Sequence, residues 1–499
     1  MYCKVDFKSI AKCKKWLCAA VFGLFLKIAS RAANLVLQSR CKALSAPPQS
    51  TPKKHKNRPK IGRFSHFNPS VEMHPFSPFS ASQTSRKRLC DAICRKKQLF
   101  AGSFVSRSHS FCSFTVTRIT RTGLVPHSAI DAEDGAITAV YDTLPAEEPG
   151  VRSVDAKGAY AAPGFIDIHL HGGGGVEFMD ATPERIRAGC AAHARHGTTT
   201  LLPTTLAASP ELTLRMIRAV RQAQAATTEC TIAGVHLEGP FLSPAQSGAQ
   251  SPDALSLPTS GLWDRLLDEW PGGVRIMGAA PELPGAMALG EALRARGVVA
   301  SIAHSDADYE TCRRALACGF TDITHIYSGC SMVHRKNGYR FGGVVEAGLL
   351  EDAFTVQVIA DGKHLPPELL RLIVKCKGAD RISLITDALF AAGSDLPDGS
   401  VLRQANGMET VLEDGVMKLP DRQAFAGSVA TMDRLVRNMV HLAGVPLWDA
   451  VAMATATPAR VIGLADRKGS LAPGFDADIV LMDKQLNVKA VMARGQFVE

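Results

Sequence analysis

The feature that most constrains this 499-residue chain is a repeated alternation of short apolar segments with helix-like segments, from about Ala162 to Leu464. The apolar segments are rich in Val, Ile and Thr, as buried parallel strands are. They comprise residues 232–237, 298–303, 322–325, 354–359 and 382–386. Repeated strand–helix units predict a parallel sheet, and eight such units close into a barrel.

Capping residues mark the helices between these segments. Thr182-Pro183 supplies an N-cap and a proline at the first helical position, and Gly197 stops that helix after about Arg195. Further helices are predicted over 367–377 and 428–444. An open doubly wound sheet would give a similar pattern. No G-x-G-x-x-G loop opens a helix after a first strand, however, which weakens that alternative.

Short β-type segments with turn signals, such as Ala472-Pro473-Gly474, flank the alternating region on both sides. We therefore predict an α/β fold with a (β/α)8 TIM-type barrel over residues 163–464. Beside it we expect a small β-sandwich domain built from both ends of this region, residues 114–162 and 465–499.

Residues 1–113 have a different composition. They hold 22 Lys and Arg against three acidic residues, a net charge of +19, whereas the remaining 386 residues carry −9. Several lysines precede the apolar run Trp16–Leu26, which is too short to span a bilayer but has the layout of a targeting segment. Three interpretations stay open: a targeting sequence, a disordered basic tail, or translation from a wrongly chosen start codon. The composition favours the last two together.

The rest of the chain limits the possible partners. Its mildly acidic charge gives no support for nucleic-acid binding, and we expect no membrane association. Its six cysteines are scattered singly, without zinc-ligand or disulfide spacing. We therefore expect free thiols in a reducing compartment, and thus a cytoplasmic protein.

The segment 163–175 ends an apolar run with two histidines, His169 and His171, followed by four glycines. Side chains alternate along a strand, so both histidines point the same way. Two neutral imidazoles side by side form half of a divalent-metal site. The alternative is a pair of polar residues that leaves a strand for a glycine turn, and the motif alone does not decide between the two.

Other predicted strands end in, or are followed by, residues that bind metals or move protons: Glu238, His304, His325 and Asp387. Barrel enzymes build their sites at this end of the strands. A carboxylate with two histidines is a ligand set of catalytic zinc sites, and Asp387 is placed to transfer protons. Each residue also has a structural alternative, such as a turn cap for Glu238 or a helix N-cap for Asp387. The whole set in strand order favours a metal-dependent hydrolase.

With these motifs the chain resembles the amidohydrolase superfamily and, within it, the deacetylases of N-acetylglucosamine 6-phosphate. A glutamate in His236-Leu237-Glu238-Gly239-Pro240, where many superfamily members have a carboxylated lysine, makes the resemblance to these deacetylases specific. The resemblance covers the chain from about residue 114 to the C-terminus. It implies hydrolysis of the acetamide of N-acetylglucosamine 6-phosphate to glucosamine 6-phosphate and acetate.

The resemblance also implies roles for individual residues. A divalent ion would be held by Glu238, His304 and His325, with His169 and His171 available to a second ion. We expect Zn²⁺, with Fe²⁺, Mn²⁺ and Co²⁺ as alternatives, and Asp387 as the general acid and base. Arg335 and His364 would lie near the sugar phosphate. The full set of implied substrate-binding residues is Ala249, Gln250, Ser328, Gly329, Arg335, His364, Phe425, Ala426 and Gly427.

Two positions depart from the pattern of these deacetylases. Ser328-Gly329 replaces the usual Asn-Ala, and Gly248-Ala249-Gln250 replaces the usual Gly-Ala-His. The segment before Arg335 is also about one residue short, so Lys336 and Arg340 are alternatives to it. We expect these positions to face substrate rather than metal. A related N-acyl amino sugar therefore stays open as the substrate. Two further alternatives are an amidohydrolase that acts on a cyclic amide and a non-catalytic paralogue, the latter disfavoured because the chain keeps all the metal ligands and Asp387. A homodimer is expected from the resemblance.

Overall fold

The computed structural model describes residues 112–145 and 152–499. The predicted leader, residues 1–113, lies outside the described residues except for its last two, which begin the first strand. The N-terminal part of the described chain forms four strands: β1 (Cys112–Thr120), β2 (Gly123–Glu133), β3 (Ala136–Tyr141) and β4 (Arg152–Pro163).

Strands and helices then alternate. The strands are β5 (Phe165–Leu170), β6 (Gly172–Gly173), β7 (Val176–Glu177), β8 (Thr198–Pro203), β9 (Thr231–Ile232), β10 (Val235–Glu238), β11 (Val274–Ala279), β12 (Val299–Ile302), β13 (Phe320–Ile323), β14 (His334–Lys336), β15 (Tyr339–Phe341), β16 (Thr355–Val358) and β17 (Ile382–Leu384). The helices are α1 (Pro183–Ala194), α2 (Pro210–Ala226), α3 (Ser260–Asp268), α4 (Ala286–Ala295), α5 (Tyr309–Cys318), α6 (Val344–Leu350) and α7 (Pro367–Lys377).

Eight parallel strands close into a barrel, with β9 and β10 counted as the two parts of one interrupted strand. β10, β11, β12, β13, β16 and β17 pair in that order, and β5 pairs with β8 and β8 with β9. Backbone bridges from Leu170 to Ala388 and from Thr204 to His236 join the two groups at both edges. The predicted TIM-type barrel is therefore confirmed. The segment 232–237, expected as one strand, is broken between β9 and β10 at Gly234, whose φ is +145°.

The small β-domain is made from both ends of the described chain. After β17 come β18 (Val401–Arg403), β19 (Glu409–Glu413), β20 (Val416–Lys418) and β21 (Phe425–Gly427), which form a separate sheet. The C-terminal strands of the β-domain are β22 (Ile479–Met482), β23 (Val488–Ala493) and β24 (Gln496–Phe497). A seven-stranded sheet has the order β24-β23-β22-β4-β1-β2-β3. In it β22 pairs antiparallel with β4, and Ile479 lies opposite Pro163. The predicted β-domain with contributions from both ends is confirmed.

Several helix boundaries follow the predicted signals. The Thr182 side chain caps α1 by accepting a hydrogen bond from the backbone of Arg185, and α7 has its predicted bounds. The last three helices are α8 (Met432–His441), α9 (Leu447–Ala454) and α10 (Ala456–Val461). The helix expected from residue 428 begins four residues later, because the backbone of Ser428 instead hydrogen-bonds to Asp387 and Leu389.

The segment between β17 and α8 was not predicted as a structural unit. It forms a four-stranded antiparallel sheet, β18–β21, beside the mouth of the barrel. Its last strand contributes Phe425–Gly427 to the pocket described below. Within the described part of the chain, no helix has the length and apolar character needed to cross a bilayer.

Candidate active site

The six residues predicted to bind metal or transfer protons come together at the C-terminal ends of the barrel strands. None of them is more than 8% exposed. Three of them have a positive φ: +43° at His304, +26° at His325 and +48° at Asp387. Such a backbone is unfavourable for residues other than glycine and persists where the surrounding structure imposes it, often at functional sites.

Glu238 is at the centre of the cluster. Its Oε1 lies 2.8 Å from His325 Nε2, 3.2 Å from His304 Nε2 and 3.6 Å from His169 Nε2. Burial alone would raise the pKa of Glu238, but the three imidazoles hold that pKa well below its usual range. The carboxylate is therefore ionised and faces three ring nitrogens.

His169, His171 and Asp387 form an adjoining group. Asp387 Oδ1 lies 3.1 Å from His171 Nε2 and 3.5 Å from His169 Nε2, and the two histidine Nε2 atoms are 3.3 Å apart. Burial would raise the pKa of Asp387, but the hydrogen bond from His171 and the nearby imidazoles lower it. The side chain is thus an ionised proton acceptor within reach of the cluster.

The donor atoms fit a divalent cation. Two groups, His169–Glu238–His325 and His169–His171–Asp387, each bring their ligand atoms within 4.8 Å of one another. Burial would lower the pKa of His169, but the charges of Glu238 and Asp387 raise it to about 9. This part of the site therefore stabilises positive charge, and carboxylate oxygen with imidazole nitrogen is a donor set that zinc uses.

Backbone carbonyls orient three of the histidines. In each case the Nδ1 atom is engaged by a carbonyl oxygen, so Nε2 is turned toward the cluster. The pairs are His171 with Thr204 at 3.2 Å, His304 with Gln246 at 2.8 Å and His325 with Ser328 at 3.0 Å.

A pocket opens from the cluster to the barrel mouth. His169 lies beneath it, whereas the other five predicted metal and catalytic residues line it. Eight of the nine residues expected to bind substrate line the same pocket: Ala249, Gln250, Ser328, Gly329, His364, Phe425, Ala426 and Gly427. The structure therefore places these residues next to the candidate metal ligands. Their roles in binding remain predictions.

Arg335 is the exception. It lies in β14 of an exposed hairpin, where it pairs with Arg340, and it is not among the residues that line the pocket. Lys336, the other alternative, lies in the same exposed strand. The structure does not bring any of the three to the cluster, so their assignment to the sugar phosphate stays a prediction.

Asp361 holds His364 in place. Its Oδ1 accepts hydrogen bonds from the backbone of Lys363 and His364, and its Oδ2 accepts one from His364 Nδ1 at 2.9 Å. Burial would raise the pKa of Asp361, but His364 lowers it. The ring of His364 lies 4.9 Å from that of Phe425. Asp361 thus orients a residue of the pocket wall.

Gln250 has a closer connection to the metal ligands than the sequence indicated. Its Nε2 donates to Glu238 Oε2 at 2.8 Å, and its Oε1 accepts from the backbone of Ala207 at 2.7 Å. The replacement of the usual histidine at this position therefore contacts a candidate ligand directly. The pocket is also lined by Leu206 and Ala424, which carry no chemical signal in the sequence.

Comparisons with known proteins agree with this fold. The sequence model of the amidohydrolase family matches residues 160–498. The chain belongs to the amidohydrolase family, as its motifs indicated. It is 33% identical over 381 residues to the N-acetylgalactosamine-6-phosphate deacetylase of Escherichia coli O157:H7, a match that covers 76% of this chain and 96% of that protein. It is 34% identical over 358 residues to the human N-acetylglucosamine-6-phosphate deacetylase, covering 69% and 84% respectively.

A solved structure gives the same result. The chain is similar to a mutant of the Mycobacterium smegmatis N-acetyl-D-glucosamine-6-phosphate deacetylase in complex with N-acetyl-D-glucosamine-6-phosphate. The identity is 35% and the TM-score is 0.71, over 78% of this chain and 99% of that chain. The resemblance to these deacetylases, first drawn from the motifs, is thereby confirmed.

Proposed function

We propose that this protein hydrolyses the acetamide of N-acetylglucosamine 6-phosphate and releases glucosamine 6-phosphate and acetate. The observation that carries the proposal is the buried cluster in which Glu238 meets His304 and His325 with Asp387 beside them. Relatives named for this reaction match most of their own length to the chain, which supports the substrate class.

The amidohydrolase superfamily depends on divalent metal ions, and the ligand set here supports Zn²⁺ most directly, with Fe²⁺, Mn²⁺ and Co²⁺ as alternatives. Glu238, His304 and His325 would hold one ion, and His169 and His171 are available to a second. Such an ion, when bound, polarises the scissile carbonyl and lowers the pKa of water.

The chain's own residues supply the proton transfers. Asp387 is ionised and lies within 3.1 Å of His171 Nε2, which orients its Oδ1. In the proposed reaction Oδ1 accepts a proton from the attacking water and returns it to the departing nitrogen. Burial of the cluster excludes bulk water, which strengthens these electrostatic interactions.

The substrate would lie in the pocket above the cluster. His364 donates from Nδ1 to Asp361, and a second proton on Nε2, which makes the ring a cation, would let it donate to a phosphate oxygen. Arg335, with Lys336 and Arg340 as alternatives, is proposed as the second cation for the phosphate. Gln250 and the backbone around Ser328-Gly329 and 425–427 would contact the sugar.

We also propose that the enzyme is a homodimer of the cytoplasm. The six cysteines that follow residue 113 are all free thiols, which supports a reducing compartment. Light scattering of the purified protein tests the assembly, and a monomer would overturn this part of the proposal.

N-acetylgalactosamine 6-phosphate is a second candidate substrate. The E. coli relative that acts on this epimer by name is 33% identical to the chain. Gln250 and Ser328-Gly329 depart from the pattern of the N-acetylglucosamine-6-phosphate deacetylases, and all three residues line the pocket. The two sugars differ in the configuration of one hydroxyl group, and we propose that residues at these positions discriminate between them.

Acetate release from each epimer by the purified full chain, with metal content measured on the same sample, tests the proposal. We expect acetate from N-acetylglucosamine 6-phosphate with the higher kcat/KM of the two. A higher kcat/KM for the galactose epimer would reassign the substrate. Absence of acetate from both, in a sample loaded with metal, would refute the deacetylase function.

A further inference from the structure

A chain of polar side chains continues inward from the metal-ligand cluster. It consists of His169 on β5, Gln357 on β16 and Asp322 on β13, and each is 0% exposed. β5 and β16 do not pair with each other, so His169 and Gln357 meet across the interior of the barrel. Burial of polar groups in such an interior costs folding free energy unless they form hydrogen bonds.

Every contact along this chain is a hydrogen bond. His169 Nδ1 lies 3.2 Å from Gln357 Oε1, and Gln357 Nε2 donates to Asp322 Oδ2 at 2.6 Å. Two hydroxyl groups also donate to Asp322, from Ser301 at 2.9 Å and from Thr355 at 2.5 Å. Asp322 thus accepts three side-chain hydrogen bonds, as a carboxylate does.

These contacts determine the direction of each hydrogen bond. Asp322 Oδ2 accepts from Ser301, and the end of Gln357 that faces the same oxygen is its NH₂ group. The other end, Oε1, then faces His169 and only accepts. The Nδ1 atom of His169 must therefore carry a proton, which leaves the lone pair of neutral His169 on Nε2. Nε2 is the atom that points at Glu238, His171 and Asp387.

We propose that Gln357 and Asp322 are positioning residues that fix the tautomer and ring orientation of His169, and through His169 set the affinity of the site for its cation. His171, His304 and His325 are oriented by backbone carbonyls, whereas His169 depends on a side-chain relay. Substitution of Gln357, which is in contact with His169 but not with the cation or the substrate, should therefore change the affinity for the cation.

If Gln357 only supported the packing of the barrel, any substitution in the same buried layer should weaken cation binding equally. Substitution of Ser383 is the control for this alternative. Ser383 lies opposite Gln357 in the register of β16 and β17, and it is fully buried. Within the described residues its hydroxyl has no hydrogen-bond partner. Ser383→Ala therefore perturbs the same buried layer of the barrel without touching the relay.

The test measures cation affinity without substrate. Full-length protein is stripped of metal, and Zn²⁺ is titrated in competition with a chromophoric chelator, for wild type, Gln357→Leu, Gln357→Glu and Ser383→Ala. We expect Gln357→Leu to weaken at least one bound ion by about 10- to 100-fold. Gln357→Glu keeps an acceptor opposite His169 Nδ1, but its second oxygen must share a proton with Asp322 in place of the NH₂ hydrogen bond. It should therefore lose less affinity than Gln357→Leu without reaching the wild-type value, and Ser383→Ala should match wild type. Thermal unfolding of the metal-free proteins measures the cost of each change to folding alone.

Unchanged affinity for every bound ion in Gln357→Leu, or equal losses in Gln357→Leu and Ser383→Ala, would overturn the proposal. If Gln357→Leu does not fold, nitrogen-15 NMR of the histidine rings in zinc-loaded wild type decides the matter. A proton on His169 Nδ1 supports the relay, and a proton on Nε2 overturns it. The inference rests on the proposed metal site but not on the substrate, so a protein that binds zinc without releasing acetate would refute only the proposed function.

Discussion

The cluster around Glu238 and the β14–β15 hairpin both contain residues for which the sequence predicted a function. The cluster is buried, whereas the hairpin is exposed to solvent. Glu238 and its histidines are buried, and each has hydrogen-bond partners. Arg335 and Arg340 are exposed on a hairpin outside the pocket. The position of a buried, charge-paired group is imposed by the fold, whereas the position of an exposed cation depends on what binds to it. In the single chain, the residues proposed for the hydrolytic step are therefore held in place, whereas the cation proposed for the phosphate is not.

The largest effect is expected at the centre of the cluster. Glu238→Ala removes the carboxylate shared by three imidazoles, so metal should be lost and acetate release should fall by about 10³-fold or more. Metal analysis together with the acetate assay checks this. Asp433→Asn, at a buried acid that pairs with Arg437 outside the pocket, is the control and should keep its metal. Full metal content in Glu238→Ala would show that the cluster is not the metal site.

Asp387→Asn separates proton transfer from metal binding. The amide is isosteric but does not accept a proton, so kcat should fall by about 10²- to 10⁴-fold. The ion held by Glu238, His304 and His325 should stay bound, because these ligands are intact, whereas an ion at His169 and His171 would lose a carboxylate neighbour. Single-turnover kinetics and metal analysis measure the two quantities. An active variant would remove Asp387 from the reaction.

Substitutions in the β14–β15 hairpin are expected to have a smaller effect, and to change substrate binding rather than the rate of the chemical step. Arg335→Ala should raise KM for the phosphorylated sugar by about tenfold, the equivalent of ~1.4 kcal/mol, with kcat unchanged. His364→Ala, which alters a residue inside the pocket, gives the reference value. Lys336→Ala and Arg340→Ala identify which of the three cations acts. If all three leave KM unchanged, the hairpin has no part in phosphate binding.

The smallest effect concerns stability rather than activity. His193 in α1 is buried against Gly172, and burial lowers its pKa from 6.5 to about 4. Below pH 6.5 the unfolded chain binds a proton that the folded protein does not, so His193 costs stability as the pH falls from 6.5 toward 4, by roughly 3 kcal/mol at most. Urea unfolding of the metal-free protein at pH 7 and pH 4.5 should show a smaller loss in His193→Gln. The exposed His441→Gln is the control, and equal losses in both variants would contradict the assignment.

Much of the fold was predictable from the sequence because its signals are periodic and local. Alternating strands and helices, with caps such as Thr182, predicted the barrel. Polar residues directly after apolar strands predicted the six clustered residues, because parallel strands bring their ends to one edge. The break at Gly234 was missed because it lies inside an otherwise continuous apolar segment. The sheet β18–β21 was missed because strands of three to five residues are too short to show a clear alternation.

Tertiary contacts account for the remaining differences. Gln357 and Asp322 lie within strands, and the local sequence does not show that their side chains hydrogen-bond to each other across neighbouring strands. The contact between Gln250 and Glu238 joins a loop to a strand end, so it depends on the folded loop. The position of Arg335 depends on a hairpin whose residues are exposed, and no burial pattern fixes it.

The pairing of β4 with β22 has a consequence for synthesis of the protein. The two strands are more than 300 residues apart in the sequence and adjacent in the sheet. β4 therefore lacks its neighbour on one side until β22 has been synthesised. During translation, a growing polypeptide therefore displays an open, aggregation-prone edge until β22 leaves the ribosome. A chain that ended before Ile479 would leave that edge permanently uncovered.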